Sequence, residues 1–231
     1  MSSPPEIEFF KELYRGFSLP LSDIDCGEKC GPYNDYGVPV CCDIKLLVPT
    51  VYDLEWLYLQ KETNLWRPWQ GDWDLKDEVQ EGQVLVECLG YQDCQRPFRS
   101  LTCRAFPFYP YLDSAGVFAG LAYYHEYQEE CWIISNLSAV SQAYKLEFKL
   151  AFEKIFQSYP ESRQNYYQYS QYMREEAVNR GDLIVLLNFM NSVFLVDPET
   201  EELQQADFND LLSYGPFGIA RDLSFPEENQ D

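Results

Sequence analysis

Histidine and basic residues are scarce in this chain. Its 231 residues include one histidine, and 17 Lys and Arg stand against 38 Asp and Glu, so the formal net charge is −21. A surface this acidic repels phosphate backbones and anionic lipids, which argues against nucleic acid and membrane surfaces as partners. A basic protein or bound metal cations would suit the charge, although acidity by itself also keeps a protein soluble.

The scarcity of histidine also limits the chemistry. Any Ser–His or Cys–His catalytic pair, and any mixed Cys/His zinc site, would have to use His125. Glu126 follows it, but the second histidine of a zincin motif is missing. We interpret His125 as an ordinary residue at the surface or at the edge of a hairpin.

Neither a long apolar segment nor a targeting sequence is visible. The longest apolar stretch, Leu183 to Val196, is interrupted by two asparagines and a serine, whereas a membrane span needs about 20 apolar residues. The N-terminus begins with Met1 and lacks the basic and apolar regions of a secretory signal. We therefore expect a cytoplasmic protein whose thiols stay reduced.

The composition is that of a globular protein. Apolar residues make up 46% of the chain and aromatic residues 16%, and a chain of this length buries roughly 70% of the surface that its unfolded form exposes. We expect a single domain over residues 1–231, divided into a cysteine-bearing region at 20–131 and a mainly helical scaffold at 132–231. All eight cysteines lie in the first of these regions.

Hydrophobic periodicity and turn residues predict the secondary structure. A hairpin is expected at 105–125 around the turn residues Asp113 to Gly116, and residues 20–44 read as an irregular loop rich in Gly, Pro, Asp and Cys. The other expected elements are helices at 4–15, 51–61, 138–157, 158–180 and 207–214, and strands at 83–88, 183–187 and 192–196. The predicted fold is α+β: an irregular cysteine-rich metal-binding region with a β-hairpin, packed on C-terminal helices.

The cysteines are the most informative feature of the sequence. Four of them fall within 17 residues, in a loop whose glycines relieve backbone constraints where several sulfurs must converge. The spacing matches neither a zinc ribbon nor the standard ferredoxins. Thiolates in a reducing compartment favour metal binding over disulfides or buried apolar thiols. The predicted metal ligands are Cys26, Cys30, Cys41, Cys42, Cys88, Cys94, Cys103 and Cys131.

The adjacent pair Cys41 and Cys42 bears on the number of sites. Neighbouring side chains in an extended chain point to opposite faces. Eight thiolates therefore divide naturally into two four-sulfur sites, with the two adjacent cysteines in different sites. The alternative is one four-thiolate cluster, with the remaining cysteines packed in the core or redox-active.

One segment carries a resemblance to a known family. The run from Cys88 to Cys94, followed by Arg96-Pro97 and by Cys103-Arg104-Ala-Phe106, together with the earlier and later cysteines, resembles the bacterial cysteine-cluster family of zinc- or iron-chelating proteins (YkgJ/FliB-like). The resemblance covers residues 26–131. The chain departs from the family's tight opening spacing, because eight extra residues separate its second and third cysteines.

The resemblance implies a bound metal, with the metal left open. We expect an iron–sulfur cluster, with the 4Fe–4S type preferred, or zinc. Arg96 and Arg104 flank the second group of cysteines, where guanidinium groups would offset thiolate charge; ion pairing with the many carboxylates is the equal alternative. The Phe106–Tyr111 run reads as core, or as a shield against solvent.

Three functions follow from these residues, in order of preference. The first is a cluster-carrying protein with a redox or accessory role in a larger system, which a protein partner would serve. The second is a zinc-stabilised protein-interaction module. The third is a group-transfer enzyme similar to the flagellin lysine methylase related to this family, although no glycine-rich cofactor loop supports it. The sequence names no catalytic residue and no small-molecule substrate.

Overall fold

The computed structural model describes residues 6–71 and 79–219. Seven α-helices lie in these residues, several joined by single 3-10 turns. The two longest are consecutive and span 17 and 21 residues. The helices are α1 (Ile7–Gly16), α2 (Cys26–Cys30), α3 (Asp53–Glu62), α4 (Leu101–Ala105), α5 (Gln142–Ser158), α6 (Pro160–Arg180) and α7 (Pro216–Ile219).

Eight strands form two antiparallel sheets. The small sheet has the order β1-β3-β2 and the larger one has the order β4-β5-β6-β7-β8. The strands are β1 (Thr50–Tyr52), β2 (Trp66–Pro68), β3 (Gln83–Cys88), β4 (Phe108–Leu112), β5 (Phe118–Tyr123), β6 (Ile184–Leu187), β7 (Val193–Val196) and β8 (Leu203–Ala206).

The larger sheet joins the two parts of the chain. The β4–β5 hairpin belongs to residues 20–131, and its second strand pairs with β6 through Leu121 and Leu187. Gly120 permits this approach, because a Cβ at that position would lie 2.5 Å from the carbonyl oxygen of Leu187. Strands from both parts of the sequence therefore share one sheet.

The hydrophobic core also draws on both parts. The main buried cluster contains Phe10 and Phe17 from α1 and the residue that follows it, together with Phe148 and Phe152 from α5. The rings of Phe17 and Phe148 meet edge to face with centroids 5.9 Å apart, a favoured arrangement of aromatic rings. Helix α5 therefore packs directly on the N-terminal segment.

A fully buried carboxylate ties three short elements together near the cysteines. Glu55 on α3 accepts hydrogen bonds from the Tyr14 hydroxyl at 2.6 Å, from the backbone N–H of Leu101 at 2.7 Å and from that of Tyr52 at 3.2 Å. Burial raises the pKa of Glu55, and these three hydrogen bonds oppose the rise. One side chain thus links α1, α3 and the start of α4.

The α+β class and most of the predicted elements are confirmed. The hairpin forms around Asp113 to Gly116, and the strands predicted at 183–187 and 192–196 pair as β6 and β7. Helix α6 ends at Arg180, where Gly181 adopts a left-handed conformation with φ 73°. Helix α5 begins at Gln142, later than predicted, because Ser141 caps it and a 3-10 segment precedes it.

Several predictions about the elements are wrong. The helix expected at 207–214 is a single 3-10 turn, Phe208–Asp210, and the short helix α7 follows it. Strand β8 was not predicted because three of its four residues are exposed, which leaves no alternating pattern. Residues 51 and 52, predicted as the start of a helix, lie in β1, so α3 begins at Asp53. The predicted loop at 20–44 contains the short helix α2.

Two expectations lie partly outside the described residues. The helix predicted at 4–15 is α1 from Ile7 onward, with its first positions undescribed. The acidic residues after Phe225, for which the sequence predicts a frayed tail, also lie outside them. Within the described parts of the chain, no helix combines the length and the apolar composition that a bilayer crossing requires.

Candidate metal centre

The eight cysteines come from six separate places in the fold, and all of them are free thiols in the described structure. Helix α2 carries two of them, one at each end, four residues apart and therefore on one face. One 3-10 turn carries the adjacent pair, and β3, α4 and two loops carry one each. The positions are Cys26 and Cys30 (α2), Cys41 and Cys42 (turn), Cys88 (end of β3), Cys94 (loop), Cys103 (α4) and Cys131 (loop).

Two glycines let the first cysteine loop fold back on itself. A Cβ on Gly27 would meet Pro39 at 3.2 Å, and one on Gly31 would lie 3.0 Å from the carbonyl oxygen of Gly37. Asp25 caps α2 by accepting a hydrogen bond from the N–H of Gly27 at 3.1 Å. The close approach brings α2 against the turn that carries Cys41 and Cys42.

Six of the thiols lie around two adjoining cavities. The larger cavity, of about 790 Å³, includes Cys26 in its wall, and the smaller one, of about 190 Å³, includes Cys88. Both cavities are lined by Cys41, Cys42, Cys94 and Cys103. The larger cavity has the size of a typical ligand pocket.

The other two cysteines are buried behind these two cavities. Cys30 is 4% exposed and Cys131 is 5% exposed, and both belong to the main hydrophobic cluster. The Cys30 thiol donates a weak hydrogen bond to the carbonyl oxygen of Gly27 at 3.9 Å. Both thiols therefore lie in the core and not on the walls of the two cavities.

The electrostatic neighbours of most of the thiols favour two groups, and Cys42 acts on members of both, since it also raises the pKa of Cys30. Burial raises the pKa of Cys131, and Cys26 and Cys30 raise it further. Burial raises the pKa of Cys103 to about 12, and Cys42 and Cys88 act in the same direction. Cys41 interacts with Cys26 and Cys131, and Cys88 with Cys42 and Cys94. The first group is Cys26, Cys30, Cys41 and Cys131, and the second is Cys42, Cys88, Cys94 and Cys103.

The two groups meet at the adjacent pair. The sulfur atoms of Cys41 and Cys42 are 3.8 Å apart, well beyond the ~2.05 Å of a disulfide bond. Hydrogen bonding between them lowers the pKa of Cys42 to about 7 and raises that of Cys41. Of the two thiols, Cys42 is therefore the one that loses its proton more readily.

The described thiols do not converge on a single metal position. Among the described residues, no three His, Cys, Asp or Glu side chains are arranged closely enough to hold a metal ion directly. Four sulfurs at ~2.3 Å from a tetrahedral zinc lie ~3.8 Å from one another, and the adjacent cysteine pair matches that separation.

The two arginines predicted to flank the site hold different partners. Arg96 forms an exposed ion pair with Asp25. Arg104 donates to the backbone carbonyl oxygens of Phe17, of Arg99 and of Pro97, and its guanidinium carbon lies 4.2 Å from the centre of the Tyr14 ring. Both arginines line the larger cavity, but their hydrogen bonds go to groups other than thiols.

Arg99 was not singled out from the sequence. Its Nε–H donates a hydrogen bond to the Cys94 sulfur at 3.2 Å, and its side chain lines both cavities. The positive charge of Arg99 partly opposes the rise that burial causes in the pKa of Cys103. It also helps to lower the pKa of Cys42. Its position between Cys94 and Cys103 was the one available clue, and the sequence offers two arginines there, Arg96 and Arg99.

The remaining predicted residues lie away from the thiols or at their margin. Of the aromatic run, Phe106 lines the larger cavity, whereas Phe108, Tyr109 and Tyr111 are buried as core. His125 is half-buried in a 3-10 turn and lines a different cavity of about 340 Å³. Burial lowers the pKa of His125.

Comparison with known proteins found no match. No protein family, curated protein or solved structure matched the chain. The resemblance to the cysteine-cluster family therefore stays a prediction that rests on the residues quoted for it.

Proposed function

We propose that this protein holds an iron–sulfur centre, of the 4Fe–4S type, through its cysteine thiolates and that it has a redox or accessory role in a larger system. One observation carries the proposal. Eight free thiols from six places in the fold gather around two adjoining cavities and the core behind them. Thiolates are the ligands that hold iron–sulfur clusters in proteins.

The open space between the thiols would suit a cluster. A cluster places iron and sulfide atoms between its ligands, so its cysteines stand further apart around an open space. The cavities bounded by Cys41, Cys42, Cys94 and Cys103 provide such a space.

The two groups of four thiols would each hold one centre. The first comprises Cys26, Cys30, Cys41 and Cys131, and the second comprises Cys42, Cys88, Cys94 and Cys103. When bound, such a cluster accepts and donates single electrons. The chain's own part is to supply the thiolates, to exclude water through the core around Cys30 and Cys131, and to place cationic groups nearby.

The family and the partner belong to the same proposal. Membership of the YkgJ/FliB-like cysteine-cluster family is supported by the matching order of cysteines with the Arg96-Pro97 and Cys103-Arg104 segments. The net charge of −21 favours a basic protein as the partner in a larger system, since opposite charge speeds association.

Purification without oxygen tests the proposal. We expect a brown protein with a broad visible absorption, and about eight iron atoms with matching sulfide if both groups are filled. Iron, sulfide and zinc are measured on the same sample. A colourless protein that contains zinc, or one that contains no metal, contradicts the proposal.

A zinc-stabilised interaction module is the second candidate, and one distance favours it. The 3.8 Å between the sulfurs of Cys41 and Cys42 equals the ligand separation expected around tetrahedral zinc. In that case both adjacent cysteines bind the same ion, and replacing either one removes the same zinc. The metal analysis above separates the two candidates directly.

A further inference from the structure

Arg99 is the arginine whose guanidinium group contacts a cysteine sulfur within the described residues. Its Nε–H donates to the Cys94 sulfur at 3.2 Å. Hydrogen bonds to charged groups are among the stronger ones in proteins. The contact therefore places a permanent positive charge directly against the second group of thiols.

The side chain of Arg99 also lies between the two groups. It lines the larger cavity beside Cys26 and the smaller cavity beside Cys88. It is only partly exposed to solvent, so water screens its charge less than that of a surface arginine. A charge at this position acts on both groups at once.

The backbone holds this arginine in place. The N–H of Arg99 donates to the carbonyl oxygen of Arg96 at 3.3 Å, and its own carbonyl oxygen accepts from Arg104 Nε at 2.8 Å. The next residue, Ser100, caps α4 by accepting from the N–H of Cys103 at 3.2 Å. Arg99 is thus anchored on the same short segment that positions one of the thiols.

The other arginines near the cavities lack this contact. The guanidinium of Arg96 pairs with Asp25, and that of Arg104 donates to three carbonyl oxygens. Arg67, which lines the smaller cavity, pairs with Glu87 at 2.7 Å and has 64% of its side chain exposed. An ion-paired, exposed cation such as Arg96 or Arg67 exerts a weaker field on the thiolates. The donors of Arg104 are directed to backbone carbonyl oxygens and not to a sulfur.

We propose that Arg99 is a positioning residue that raises the reduction potential of the thiolate-bound centre. This inference rests on the proposed iron–sulfur function. Adding one electron to a centre with four thiolate ligands increases its negative charge, and a fixed cation in contact with a ligand sulfur stabilises that reduced form. Hydrogen bonds to the sulfurs and nearby charge are established means of tuning such centres.

The test is a redox titration of the anaerobically purified, full-length protein with a one-electron chemical reductant, followed by visible absorption. Arg99→Gln removes the charge. We expect it to lower the equilibrium constant for reduction by about tenfold or more, which corresponds to ~59 mV for one electron. Arg99→Lys keeps the charge and should retain most of the wild-type potential.

Arg67→Gln is the matched control. It removes the same formal charge beside the same cavity, but from an exposed ion pair without a contact to sulfur. Its potential should equal that of the wild type. Iron content and circular dichroism of every variant report on cluster retention and on folding.

The outcomes separate this inference from the proposed function. A colourless wild type overturns both. A brown wild type whose potential is unchanged in Arg99→Gln, or shifts equally in Arg67→Gln, overturns only the role of Arg99. If Arg99→Gln and Arg99→Lys both lose the cluster while keeping the wild-type circular dichroism, Arg99 serves assembly and the inference is wrong. If the cluster is lost in Arg99→Gln and retained in Arg99→Lys, the charge serves cluster assembly, and the proposed effect on the potential is likewise overturned.

Discussion

Residues 20–131, the cysteine region, and residues 132–219, the C-terminal region, are built in different ways. The longest helix of the cysteine region is α3, with 10 residues, and its cysteines lie on short helices, turns and strand ends. The C-terminal region is dominated by α5 and α6, with 17 and 21 residues. Long helices bury a continuous apolar face, whereas short irregular segments bury little by themselves.

The difference follows from what each region has to bring together. Thiols that share a metal must converge from several directions, so the chain has to turn often, and turning interrupts helices and strands. The C-terminal region packs Phe148 and Phe152 of α5 against the N-terminal segment and adds β6 to the hairpin strand β5. We therefore expect the cysteine region to depend on the C-terminal region, and on the proposed metal, for order.

Removal of the proposed metal should have the largest effect on the order of the two regions. Structural metal sites contribute about 10–16 kcal/mol to the folding of small metal-binding domains. We expect a chelator to remove amide protection from the cysteine region and to loosen residues 138–180 as well, through the shared core. Hydrogen exchange measured by mass spectrometry, with and without chelator, checks this. Helix amides that stay equally protected would make the two regions energetically separate.

Variants of the adjacent cysteines compare the two groups of thiols within the cysteine region. Cys41→Ser and Cys42→Ser should lose different parts of the metal, because the two thiols belong to different groups. Metal analysis and visible spectra of each variant provide the measurement. Cys131→Ser should resemble Cys41→Ser, and Cys103→Ser should resemble Cys42→Ser. Identical losses in the first two variants would argue for a single site.

Phe148 tests whether the two regions unfold together. Its ring is fully buried and contacts Phe17 and Phe152, with centroids 5.9 Å and 4.5 Å away. Phe148→Ala should cost about 3–5 kcal/mol and shift one cooperative transition. Leu150→Ala, on an exposed position of the same helix, should stay within ~0.5 kcal/mol of the wild type. Two transitions in the denaturant unfolding of Phe148→Ala would contradict the shared core.

Replacing Glu55 tests how much its buried hydrogen bonds stabilise the cysteine region. The expected loss of stability is smaller than that for Phe148→Ala. Glu55→Gln keeps an acceptor for Tyr14 and Leu101 but turns an amide N–H₂ toward the N–H of Tyr52, a cost of about 1–3 kcal/mol. Glu62→Gln, on an exposed position of the same helix, is the control and should cost less than ~0.5 kcal/mol.

The pH dependence of the same variant follows from the pKa of Glu55. Burial raises this pKa above its ordinary value of 4.5, so the folded state holds the proton more tightly than the unfolded state does. Wild-type stability relative to Glu55→Gln is therefore greatest below pH 4.5 and declines as pH rises through the raised pKa. Unfolding free energies measured across this range check the sign. A difference that grows with pH would contradict the assignment.

Much of the fold could be predicted from local patterns. The turn at Asp113 to Gly116, the paired strands β6 and β7, and the glycine that ends α6 follow from residue types at fixed spacing. Strand β8 could not be predicted, because its mostly exposed residues have no alternation and its pairing depends on β7. The start of α3 was misplaced because pairing with β3 holds residues 51 and 52 in a strand.

The sequence by itself determined that this chain carries eight cysteines in one region, few cations and periodic helices after them. The tertiary structure decided which thiols are neighbours, and it placed Arg99 rather than Arg96 or Arg104 against a sulfur. The physical reason is distance along the chain. Cys26 and Cys131 are brought together by the packing of separate segments on a shared core, and no local propensity records that packing.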